Sequence, residues 1–246
     1  MHNRFSVAAT LLAAAIVALP APALAAGEIL LTHAKALAGN VTPGDAPGFP
    51  ITLSLPGSYQ FASVIHPSAG LIGIQVTSPD VTIDLNGFRL HGSNVAFHGI
   101  AGGVDSVTIR NGTITGFKFD GINGGTGSHW TVENMRVVEN GRHGIFGDGF
   151  HTAIRSSMVA VNGNRGISCA LLCLVEGSVV SENRFGIVMN NRSVLGSVIG
   201  NNAEFGISGT LVGFGNNMLI GNNGHSADVS PGVTPMQPNL CNECPL

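Results

Sequence analysis

Hydrophobic and polar positions alternate along most of the chain in runs too short for helices, and the runs return at a nearly fixed interval. A Gly-Ile dipeptide begins at Gly99, Gly121, Gly144, Gly166, Gly186 and Gly206, with spacings of 22, 23, 22, 20 and 20 residues. Between these marks stands a second strand pattern, Val81-Thr82-Ile83, Val107-Thr108-Ile109, Trp130-Thr131-Val132 and Thr152-Ala153-Ile154. A third short strand ends at Ile114, Val137, Val159, Val180, Ile199 and Ile220. Three strands per repeat of about twenty residues, joined by Gly and Asn corners, predict a solenoid in which each coil stacks on the last.

Alternation within the second strand sends Val107, Ile109, Trp130 and Val132 inward and leaves Thr108, Arg110, Thr131 and Glu133 outside. Coil by coil, the outer column reads Asp84, Arg110, Glu133, Arg155, Glu176, with the sign of charge changing at every step. His129 aligns with His151 one coil on, so His129, Glu133, His151 and Arg155 are expected to form one patch, with Arg110 beside it. A base and a carboxylic acid at that spot suit proton abstraction from a sugar acid. The competing reading is a ladder of exposed ion pairs, each contributing about 0–1 kcal/mol. Another column, Asn140, Asn162, Asn183, Asn202 and Asn223, is expected at a corner, where Asn tolerates left-handed backbone and amides stack in a ladder.

Before the repeat, residues 29–38 show helical spacing, 40–50 is a Pro/Gly-rich loop and 51–55 alternates as a strand. The expected divisions are a signal peptide over 1–26, an N-terminal cap over 27–70, the solenoid over 71–229 and a tail over 230–246 that clasps the last coil. The signal peptide is read from the charged start at Arg4, the apolar run over 7–19 and the small residues before Ala25 and Ala26. It implies a secreted or periplasmic location. No later run is long enough to span a bilayer.

Composition narrows the partners. Charged residues are only 10% of the chain and the net charge is −3, so there is no basic footprint for nucleic acid. Hydrophobic residues make up 44%, enough apolar surface to argue against disorder. The four cysteines fall in two close pairs, Cys169 with Cys173 and Cys241 with Cys244. In an oxidising compartment local disulfides are expected, and the intervals lack a nearby His that would complete a zinc set. No metal or other cofactor is expected. Asp120, Glu139 and Glu204 show no constellation in the sequence.

The Asp84-Leu-Asn-Gly, Arg110-Asn-Gly and Asn-x-x-x-Gly-Ile elements resemble the right-handed parallel β-helix proteins of the pectin-lyase-like superfamily. The resemblance covers 51–223 and is strongest to bacterial secreted β-helix repeat proteins with no assigned activity. It implies an all-β solenoid, here of about seven coils, capped at its start and clasped at its end. In enzymes of this fold the active site commonly lies in a groove on one sheet face. Clustered aspartates, which pectate lyases and polygalacturonases use, are missing from the charged column. Two functions follow as expectations. One is an exported non-catalytic protein with a surface or glycan-binding role. The alternative is a lyase or C5-epimerase acting on a uronate-containing polysaccharide, with His129, Glu133, His151, Arg110 and Arg155 as its catalytic candidates.

Overall fold

A computed structural model describes residues 27–223, 228–236 and 238–241. The expected signal peptide and Cys244 lie outside them. The described chain is a right-handed parallel β-helix of about eight turns, one more than the repeat predicts. All named strand pairs are parallel. The Gly-Ile strands pair from Ile51 through Ile74, Ile100, Ile122, Ile145, Ile167 and Ile187 to Ile207. Ile83, Ile109, Val132, Ile154 and Val175 form the matching inward column of the second sheet. All five are fully buried, each contributing roughly 1.5–3 kcal/mol relative to exposure.

The pairing crosses the expected borders of the solenoid. Ile29–Leu31, expected in a helix, is a strand that pairs with Tyr59 to Phe61. The helix is only His33–Ala38, started by Thr32, whose side chain accepts from the Lys35 N–H. Alternating burial within Ile29–Leu31 lets Leu31 enter the core column, which outweighs local helical spacing. In the tail, Val233–Pro235 and Leu240–Cys241 add further rungs.

The Gly of the Gly-Ile repeat is required by space. A Cβ on Gly121 would stand 2.6 Å from Val137 Cγ1 and 2.8 Å from Asn140 Nδ2. The Asn column shares this crowding with the Val or Ile of the third strand and the Gly carbonyl of the next coil. Asn140, Asn162, Asn183 and Asn202 are all buried, and the Nδ2 of each donates to the Oδ1 of the next at 3.0, 3.0, 3.1 and 2.8 Å. Two expectations about this column are corrected. Its last amide is Asn222, not Asn223, because Ile199 pairs with Leu219 and not with Ile220. The left-handed residue of the corner is the one before, at Glu139, Val161, Glu182 and Asn201. Asn is needed for its buried amide, which satisfies backbone and side-chain donors that water cannot reach.

Candidate functional site

The observed register stacks Asp84, Arg110, Glu133, Arg155 and Glu176 in that order on the outer face of the second sheet. Pairing is uneven. Arg110 Nε lies 2.9 Å from Asp84 Oδ2, and Arg155 Nε lies 3.4 Å from Glu176 Oε2. Glu133 stands between the two arginines in register, yet each turns to its other neighbour. Asp84 is the best held of the acids, since it also accepts from Asn111 Nδ2 at 3.1 Å and from the Asn86 N–H at 2.8 Å.

His129 and His151 do meet, as parallel rings with centroids 4.9 Å apart. Their backbones are left-handed, with φ of 58° and 61°. That places them at the corner entering the strand, where strand parity no longer applies, and not in line with Glu133 and Arg155. His151 and Arg155 share an open depression of about 190 Å³ with Thr152, Ala153, Leu172 and Leu174. Glu133, Arg110 and His129 do not line it. The five candidates are thus spread along a face and a corner. Glu133 and Glu176, the like carboxylates on this column, have Arg155 between them.

A larger groove of about 540 Å³ lies at the next corner, where the second sheet turns into the third. Asn111, Asn134 and Ser156 supply its left-handed turn residues, and Thr113, Arg136 and Met158 its wall. Gly112 forms part of the floor, because a Cβ there would collide with Leu85 of the preceding coil and approach Phe88 O to 2.8 Å. Among the described residues its lining is amide, hydroxyl, thioether and guanidinium, with no carboxylate and no imidazole. These groups suit hydrogen bonding.

The most strongly coupled charges are ones the sequence left scattered. Asp120 is completely buried. Arg142, one coil on, closes both its oxygens, through Nε to Oδ1 at 2.7 Å and through a terminal nitrogen to Oδ2. Asn123 Nδ2 donates at 2.8 Å, the His143 N–H at 3.2 Å, and His98 Nδ1 lies 3.4 Å away. Burial alone would push the Asp120 carboxyl up, but the hydrogen bonds and charges of Arg142 and His98 overcome it and hold the group well below the usual carboxylate range. Its bond to Asp120 in turn raises Arg142. Burial pushes His143 down to about 4, with Asp120 opposing and Arg142 and Arg165 assisting. Outside this cluster Lys118 lies over Phe97 and Phe119, and Arg142 over Phe119 and Phe146, at 5.8 to 5.9 Å from the ring centres. With its oxygens enclosed and water excluded, Asp120 is a structural anchor. The signal for it was positional, since Asp120 holds the place before Gly-Ile that His98, His143 and Arg165 hold in other coils.

Cys169 and Cys173 form the expected disulfide across the corner at Leu172, both buried. Cys241 is also disulfide-bonded. Among the described residues no group of three or more His, Cys, Asp or Glu is placed to hold a metal ion. No described helix is long and apolar enough to cross a membrane.

No protein-family model matches the chain, and no curated protein sequence matches it. Solved structures do. Pectate lyase Pel9A superposes with a TM-score of 0.56 at 15% identity, over 87% of this chain and 66% of that one, so the chain spans just under two thirds of its length. The A-module of mannuronan C-5 epimerase AlgE4 from Azotobacter vinelandii gives a TM-score of 0.46 at 13% identity, over 88% of this chain and 85% of the module. At 15% identity a likeness speaks for architecture and not for activity. Taken with the stacked coils, it identifies the fold as a right-handed parallel β-helix.

Proposed function

We propose that this chain is an exported, non-catalytic β-helix protein that holds a polysaccharide along the corner between its second and third sheets. The observation that carries this reading is the 540 Å³ groove lined by Asn111, Asn134, Thr113, Ser156 and Arg136 without an acid or a histidine. Side-chain amides and hydroxyls there match sugar hydroxyls, and Arg136 offers a partner for a sugar carboxylate. A uronate polymer fits those groups, and the likeness to a pectate lyase makes pectate the first polymer to try. The buried disulfide and the secretory pattern at the start of the chain agree with an oxidising, external compartment.

A second reading, a lyase or C5-epimerase, draws on the stacked His129 and His151 beside the depression that His151 and Arg155 share. In that reading a histidine takes the C5 proton next to the uronate carboxylate and Arg155 steadies the resulting charge. In a lyase the C4–O bond then breaks, leaving a C4–C5 double bond while the departing sugar oxygen takes a proton from the other histidine or from water; in an epimerase a proton returns to the opposite face of C5. The test is incubation with pectate and mannuronate polymers, followed by ultraviolet absorbance for unsaturated product and by NMR for epimerised residues. Binding without either product supports the first reading. Product that disappears in His151→Ala supports the second.

A further inference from the structure

The corner groove runs along the solenoid axis, because Gly87, Asn111, Asn134 and Ser156 line it from successive coils. Its wall is an outward column of the third sheet, in which Arg89 pairs with Thr113, Thr113 with Arg136 and Arg136 with Met158. The last three line the groove, and Arg89 extends their column two residues beyond Gly87. Alternation fixes the direction of both arginines. Leu90 and Val137 beside them are buried, and Arg89 and Arg136 are exposed.

Four other arginines, Arg110, Arg142, Arg155 and Arg184, each hold a carboxylate. Among the described residues no acid pairs with Arg89 or Arg136, and Arg136 donates to Met158 Sδ at 3.7 Å. The charge of Arg89 disfavours a proton on His66, so that neighbour supplies no negative charge either.

We infer that Arg89 is a second carboxylate-binding residue of the groove, and that the ligand is an acidic polysaccharide lying along the solenoid axis with one uronate on Arg136 and the uronate two sugars away on Arg89. This rests on the groove being a saccharide site. Two coils separate the arginines, roughly 9.6 Å at their backbones, and a pyranose ring is about as long as one coil is high. Thr113 stands between them and offers a hydroxyl to the intervening sugar. A guanidinium with no acid of its own can take a carboxylate by two parallel bonds. Once Arg136 is engaged, the contact with Arg89 forms within one complex, an advantage open only to chains long enough to bridge both.

Calorimetric titration with galacturonate oligomers, from the single sugar to the pentamer, tests this. The wild type gains about tenfold in affinity from dimer to trimer. That step disappears in Arg89→Gln, returns in part in Arg89→Lys, and is missing for methyl-esterified oligomers, with circular dichroism unchanged because Arg89 is exposed and holds no acid. A trimer bound as tightly by Arg89→Gln as by the wild type overturns the inference while leaving the groove as a saccharide site. Equal affinity for the methyl-esterified trimer does the same, since the carboxylates are then not read. Absence of binding by every oligomer overturns the inference and the saccharide site together.

Discussion

Arg142 reaches back one coil to enclose both carboxylate oxygens of Asp120, which has no exposed surface. The pair welds two adjacent turns at the entry to the Gly-Ile sheet, and the backbone of His143 joins it. Asp120→Ala orphans the Arg142 and Asn123 donors at once. Arg142 can swing to water because its side chain is 44% exposed. The expected loss is roughly 2–3 kcal/mol, close to that of a charged hydrogen bond, read from the urea midpoint of unfolding.

His143 makes stability depend on pH. Its ring is buried and its Nδ1 accepts from the Arg165 N–H at 3.3 Å, a bond that protonation at Nδ1 removes. The folded-state value of about 4 lies below the ordinary 6.5. The unfolded chain thus binds the proton more readily. The contribution is complete above about pH 6.5 and is lost as pH falls towards 4, at most roughly 3 kcal/mol. Asp120, also held low, adds a second loss only below its unfolded value near 3.8. Melting temperatures between pH 7 and 4 check this, with a flatter profile expected for His143→Gln.

The buried amide ladder sets the next expectation. Asn183 Oδ1 accepts from both the backbone and the side chain of Asn162, and its own Nδ2 reaches Asn202. Asn183→Ala leaves those donors without partners and without water. A loss of about 2–4 kcal/mol follows at 1–3 kcal/mol for each orphaned group. Asn223→Ala, outside the ladder, should move the melting temperature far less.

On the charged column the two kinds of residue should separate. Glu133→Gln changes stability by no more than about 0.5 kcal/mol, because neither arginine pairs with it. Arg110→Ala costs about 1 kcal/mol or more, since it uncovers Asp84, a largely buried acid.

Much of the architecture was legible in the chain because a solenoid repeats one local solution. Gly144 and Ile145 mark the same place in space as Gly166 and Ile167, so spacing alone aligned the charged column. Legibility failed where one coil departs from the rest. The Asn column slipped by one residue at Asn222, and Ile29–Leu31 read as helix because a single strand has no repeat to announce it. The histidines were aligned correctly with each other, but left-handed corners at both moved them off the strand face. Asp120 was missed for a different reason. Its partners come from the coils before and after, and each coil puts a different residue type in that place. Grooves were not legible at all, since depth depends on how small residues such as Gly112 let coils approach.

Whether the corner groove holds a polysaccharide and leaves it intact is read from amide chemical shifts followed during titration with pectate oligomers. The expected changes concentrate at Asn111, Asn134, Ser156 and Arg136, with binding weakened about tenfold in Arg136→Ala and the oligomers recovered intact. Changes centred instead on His129, His151 and Arg155, together with unsaturated or epimerised product, would contradict that role.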